Sequence, residues 1–89
     1  MGMNYVYVIR SVRSGMMYVG RTEDLRRRIK EHGLGKVKST KKLIPFLLIF
    51  YEAFLSKTDA IRREKYLKTT KGKSSLRQMV RDSLEKSCR

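Results

Sequence analysis

The chain is poor in residues that define several whole classes of protein. Its 89 residues include one cysteine, Cys88, one proline and no tryptophan. A single cysteine excludes a disulfide framework and a thiolate zinc cluster. Long apolar runs are missing too. The longest, Leu43 to Tyr51, is nine residues with Pro45 inside it, whereas a membrane span needs roughly 20. No basic start leads into an apolar stretch with a small-residue cleavage site, so secretion is not expected. Val6 stands where a myristoylation signal on Gly2 would require Ser or Thr. Acid is scarce as well: 8 Asp and Glu stand against 22 Lys and Arg, for a net charge of +14. A charge of that sign points to a polyanionic partner, nucleic acid ahead of an anionic membrane surface. The expectation is a cytoplasmic protein with no membrane role.

Apolar residues are present in quantity. They make up 40% of the chain and include five Tyr and three Phe, too many for a disordered tail. A chain this short buries roughly 60–65% of its unfolded surface, enough for one modest core. A single domain over residues 1–89 is expected, with no repeats or linkers.

Local chemistry predicts the order β-β-α-β-α-α. Tyr5-Val6-Tyr7-Val8-Ile9 is an unbroken β-branched and aromatic run, as in a strand buried on both faces. Ser11 to Gly15 carries turn residues, and Met16 to Val19 returns as the second strand of a hairpin. Thr22 offers an N-cap for a helix ending at Gly33. Residues 33–44 form a long loop with four lysines and no acid. Phe46 to Phe54 is the third strand. Ser56-Lys-Thr-Asp59 fits a capping box for a second helix reaching about Thr70. Gly72 ends that helix, Ser74 or Ser75 recaps, and a last helix runs over about 75–86.

Three groups sit where core residues should. Glu64 falls between Ala60, Ile61 and Leu67 on the second helix. A carboxylate there must be paired, protonated or metal-bound, since burying it alone costs several kcal/mol. The two readings are an ion pair with a nearby arginine and a divalent-metal ligand. His32 lies in the stripe of Leu25 and Ile29 on the first helix, with Arg28 at its edge. It is read as either a hydrogen-bonded core histidine or a catalyst. Tyr7 and Tyr18 lie nearly opposite each other on the hairpin, as core aromatics or as site residues depending on register.

Taken together, Tyr5-Val6-Tyr7, Tyr18-Val19-Gly20, Arg28 eight residues past that glycine and Glu64 on a later helix resemble the GIY-YIG nuclease domain. Glu52-Ala-Phe and Ala60-Ile-Arg-Arg-Glu64 are similar to the small stand-alone UPF0213 subfamily. The likeness spans about residues 4–76. It implies an α+β fold: a small three-stranded antiparallel sheet flanked by helices. It also implies metal-dependent hydrolysis of nucleic-acid phosphodiesters. Tyr7 and Tyr18 match the two motif tyrosines, Arg28 the family arginine and Glu64 the metal-binding carboxylate. His32 falls at an assisting position, and Arg21 at one often basic. Tyr5 replaces the glycine of the first motif, and only Ser74 or Ser75 could stand for a polar residue, often Asn, near the third helix.

The resemblance implies that Glu64 holds one Mg²⁺ or Mn²⁺. Arg28 would grip the scissile phosphate with a fork of donors. One tyrosine would act as general base and the other would orient water or phosphate; Tyr7 is favoured as the base, and the sequence does not separate the two roles. Arg28, Arg21 and the metal favour the Tyr7 phenolate, and burial opposes it. Phosphate contacts are expected from Arg26, Arg27, Lys30, Lys36, Lys38, Lys41 and Lys42. DNA is the leading partner, the protein acting as a monomer or weak homodimer with structure-directed or low sequence specificity. The alternative is a non-catalytic basic nucleic-acid-binding module on the same fold.

Overall fold

The structure is a computed structural model that describes residues 2–87. Cys88, with the expectations attached to it, lies outside the described residues.

Strands β1 (Asn4–Ser11), β2 (Met17–Thr22) and β3 (Phe46–Phe54) make one antiparallel sheet in the order β2-β1-β3. The central place of β1 explains its sequence. Val6, Tyr7, Val8 and Ile9 are all at most 1% exposed, because side chains alternate and both faces of the strand are covered. Val6 and Val8 look toward helices α2 (Lys57–Leu67) and α3 (Thr70–Met79), where Ala60, Leu67, Leu76 and Val80 complete the core. Each fully buried Val or Leu there contributes roughly 1.5–3 kcal/mol. Tyr7, one residue out of phase, looks the other way, toward helix α1 (Leu25–Gly33).

Helix boundaries differ from expectation in instructive ways. The cap of α1 is Asp24, whose carboxylate accepts from the Arg27 amide, while Thr22 ends β2 and caps only the turn before it. The long basic loop is not structureless. Lys38–Leu43 winds into a 3₁₀ turn, with Thr40 and Leu43 buried beneath it. Pro45 follows through a cis peptide bond.

Helix α2 stops at Leu67, and Thr69 caps α3 by accepting from the Gly72 amide. Gly72 therefore lies in the first turn of α3 instead of ending α2. A β-carbon there would strike the Tyr66 carbonyl, so glycine permits the tight α2–α3 junction. The last helix is two pieces, α3 and α4 (Arg81–Ser87), broken at Val80. Strand β3 is an edge strand, so its apolar run is only partly covered: Leu47, Leu48 and Tyr51 are exposed.

No helix among the described residues is long and apolar enough to cross a membrane.

Candidate active site

Pairing register places the hairpin tyrosines. Tyr7 stands opposite Gly20, and Tyr18 opposite Ile9, so both tyrosines share the α1 side of the sheet. Their ring centroids are 6.4 Å apart. A β-carbon at position 20 would collide with the Tyr7 hydroxyl and ring. The absent side chain is what lets the phenol lie across β2.

Beneath that phenol is His32, itself fully buried. Its Nε2 is 2.6 Å from the Tyr7 oxygen, and its Nδ1 is 2.6 Å from Oγ1 of Thr40 on the 3₁₀ turn. Tyr18 and Phe46 close the imidazole from the β2 and β3 sides, at 5.5 and 6.2 Å between centroids. Burial, and then the Arg28 charge, lower the His32 pKa from 6.5, with Glu31 opposing them. The imidazole is neutral at pH 7.

Cations were expected to pull the Tyr7 pKa down; burial wins instead. Desolvation of the phenolate pushes the pKa up to about 12, against the Arg28 guanidinium beside it, with Tyr18 and Glu64 adding to the rise. Tyr7 is therefore a protonated phenol at rest.

Arg28 is positioned by Glu31, a residue that motif spacing does not single out. Nη1 of Arg28 lies 3.2 Å from Glu31, and Nε of Arg27 lies 3.3 Å from the same carboxylate. The Arg28 hydrogen bond, opposed by desolvation and helped by the Arg27 hydrogen bond and both guanidinium charges, holds the Glu31 carboxyl below the usual range. The spacing of three and four residues was the available signal.

Glu64 is placed differently from expectation. Its side chain is 21% exposed, at the rim rather than in the core. Its partners are Lys68 at 3.0 Å and, as the ion-pair reading expected of a nearby arginine, Arg21 at 3.6 Å. Arg21 projects from β2 on the side of Val6, facing α2, because it pairs with Val6 in the sheet. The Arg21–Glu64 separation is too long for a hydrogen bond, and the buried Arg21 Nε has no other partner among the described residues. No cluster of three or more His, Cys, Asp or Glu exists among the described residues. Glu64 is the carboxylate at this rim that could hold a divalent cation.

Tyr7, Tyr18, Arg28 and His32 thus form one buried-to-rim group, and Glu64 is near enough for its charge to act on Tyr7. Arg26, Arg27 and Lys30 on α1, and Lys36, Lys38, Lys41 and Lys42 around the 3₁₀ turn, lie on the surrounding surface. None of those four lysines has an ion pair among the described residues, whereas Arg27 is partly spent on Glu31. Ser74 and Ser75 are exposed on α3 and make no side-chain hydrogen bond among the described residues.

A three-stranded antiparallel sheet that lays a buried tyrosine–histidine pair against a basic rim defines a small α+β domain built around a phenol. The model of the GIY-YIG catalytic domain matches residues 3–78, and the chain belongs to that family. The UPF0213 protein of Staphylococcus haemolyticus is 39% identical over 70 residues, 78% of this chain and 84% of that one. A UPF0213 protein of Streptococcus pneumoniae is 41% identical over 68 residues, 75% of this chain and 68% of that one. The solution NMR structure of a UPF0213 protein from Bacillus halodurans superimposes with a TM-score of 0.56 at 38% identity, covering 86% of this chain and 84% of that one.

Proposed function

We propose that the protein is a metal-dependent nuclease that hydrolyses phosphodiester bonds, with Tyr7 as the group that deprotonates the attacking water. The observation that carries this reading is the buried 2.6 Å contact between the Tyr7 hydroxyl and Nε2 of a neutral His32. A phenol whose pKa is about 12 is no base as it stands. It becomes one when its O–H bond breaks toward Nε2. The phenolate so formed takes a proton from water as that water's oxygen bonds to phosphorus. The water proton ends on Tyr7, the phenolic proton on His32, and the leaving oxygen departs with the bonding pair. Arg28 neutralises the phenolate and the phosphate with donors held in place by Glu31.

Glu64 is the group that would hold Mg²⁺ or Mn²⁺. The metal would supply charge neutralisation at the phosphate when bound. The donor set suits such an ion, because Mg²⁺ is commonly bound by one or two carboxylates plus substrate phosphate oxygens and water. Lys68 and Arg21 hold the carboxylate until a metal replaces them. The same Lys68 contact, at 3.0 Å, favours a second reading, in which the carboxylate stays paired and the protein only binds nucleic acid. Substrate is recognised through the cations of α1 and the 3₁₀ turn, which act on backbone phosphates without reading bases. DNA of particular structure is the first candidate.

The test is cleavage of flapped, forked, single-stranded and duplex DNA with Mg²⁺ or Mn²⁺, with wild type beside Glu64→Gln, Arg28→Ala and Tyr7→Phe. Cleavage by wild type alone is expected. Intact substrates at high enzyme, with salt-sensitive binding retained, would make the protein a binding module.

A further inference from the structure

Thr40 was no part of the site expected from sequence, yet it is fully buried against the imidazole of the chain's one histidine. We infer that Thr40 is a positioning residue that fixes His32 in the tautomer able to accept the Tyr7 proton. The inference rests on the nuclease reading for its consequence, though not for its geometry.

The donors and acceptors around His32 leave one consistent arrangement. The Tyr7 hydroxyl has one hydrogen to give. Arg28 beside it can only donate, and among the described residues the sole acceptor within reach is His32 Nε2, at 2.6 Å. Nε2 must then carry the lone pair, so in the neutral ring Nδ1 carries the hydrogen. That N–H points at Thr40 Oγ1, 2.6 Å away. The threonine can accept it because its own hydrogen goes to the Val37 carbonyl at 3.3 Å. The chain therefore runs one way: Tyr7 O–H to Nε2, Nδ1–H to Thr40, and Thr40 O–H to the backbone.

In the opposite tautomer Nε2–H would face the phenol. The Tyr7 hydrogen would lose its acceptor, and two buried donors would meet. When Tyr7 surrenders its proton, the O–H bond breaks and an Nε2–H bond forms. The resulting imidazolium keeps its Nδ1–H on Thr40, so no second hydrogen bond has to be rebuilt. Orienting a functional histidine through its other ring nitrogen is a general device, and for metal-ligating histidines the loss of such a partner costs roughly 10- to 100-fold.

Histidine-selective ¹⁵N labelling of the tag-free protein reads the tautomer directly, without substrate or metal, from a single imidazole. Wild type near pH 7.5 is expected to show a protonated Nδ1 and a pyridine-like Nε2. Tyr7→Phe should keep that pattern, since the acceptor that Thr40 offers to Nδ1–H remains when the phenol's donor is removed. Thr40→Ser should keep both the pattern and the cleavage rate. Thr40→Val should shift the ring toward Nε2–H and lower kcat roughly 10- to 100-fold at unchanged KM. A wild-type Nε2–H ring, a switch in Tyr7→Phe, or a folded Thr40→Val protein with the original tautomer overturns the inference. Should Thr40→Val fail to fold, the spectra of wild type and Tyr7→Phe still decide. Absence of cleavage by wild type would defeat the nuclease reading and leave the tautomer result standing.

Discussion

The two sides of the site are built on opposite principles. Around His32 every polar atom is matched: Tyr7, His32 and Thr40 are all within 1% of complete burial, uncharged, and joined by 2.6 Å contacts. Around Glu64 the groups are charged and partly exposed, the Arg21 contact is stretched to 3.6 Å, and a guanidinium Nε is left without a hydrogen bond. A buried neutral network is stable only when fully satisfied, so the proton-handling side has to be complete before substrate arrives. Where this cluster reaches the rim water screens it, but the Arg21 Nε is buried and lacks a partner among the described residues. On the proposed reading, phosphate and metal would complete that side.

The largest expected effects fall on the preorganised side. Tyr7→Phe removes the proposed acid–base group and should lower turnover about 10²- to 10⁴-fold with binding retained. Gly20→Ala should do comparable damage by a different route, since its methyl group occupies the space of the Tyr7 hydroxyl. A thermal melt separates the two by degree, because the phenylalanine leaves only His32 Nε2 without its donor, whereas the alanine forces the strand or the ring itself to move. An active, undisturbed Gly20→Ala protein would break the claim that Tyr7 is held in a fixed place.

The charged rim should respond in the reverse manner. Glu64→Gln is expected to abolish metal-dependent turnover while changing stability by no more than about 1 kcal/mol, the usual worth of such exposed pairs. Lys68→Ala, by freeing the carboxylate, should tighten Mn²⁺ binding in the presence of nucleic acid. Unchanged affinity would mean that Lys68 does not compete with metal.

Burial of the neutral network also gives stability a pH dependence. The pKa of His32 is depressed in the folded state, so its contribution is present above about 6.5 and is lost as pH falls through the lower folded value. Tyr7 is raised from 10.0 to about 12, so its contribution is present below pH 10 and is lost as pH climbs toward 12. Denaturation measured across both ranges should show the alkaline loss reduced in Tyr7→Phe. A parallel alkaline loss in that variant would mean that other groups cause it.

The smallest effect is expected far from the chemistry. Each effective neutralisation among Lys36, Lys38, Lys41 and Lys42 should reduce the salt slope of duplex DNA binding by about 0.9. An unchanged slope would exclude the 3₁₀ turn from the contact surface.

How much of this was legible in the sequence follows the physics of each part. The succession of the first strands and helices, the doubly buried β1 and the N-cap at Ser56 were readable because they depend on residues near one another in the chain. The α1 side of the site was readable from motif spacing, since register and helical period fix Tyr7, Tyr18, Arg28 and His32 once the hairpin forms. Thr40 was not readable. It lies eight residues past His32 in a lysine-rich stretch with no periodic pattern, and only the folding of that stretch over the imidazole makes it matter. Glu64 was misjudged in degree. A helical wheel placed it among Ala60, Ile61 and Leu67, but a wheel cannot say where the sheet beneath the helix ends, and there Glu64 emerges to meet Arg21 and Lys68. The Gly72 junction and the α3–α4 break were hidden for a related reason, since helix-to-helix contact decided them.

The central claim is that the proton-handling side stands ready while the metal side is completed only by substrate. Mn²⁺ binding followed by electron paramagnetic resonance, on Tyr7→Phe protein with and without an oligonucleotide, tests it most directly. The expected result is weak binding to protein alone and tight binding in the presence of the oligonucleotide, the gain disappearing when Glu64→Gln is added. Equally tight binding without nucleic acid, or an undiminished gain in the double variant, would contradict it.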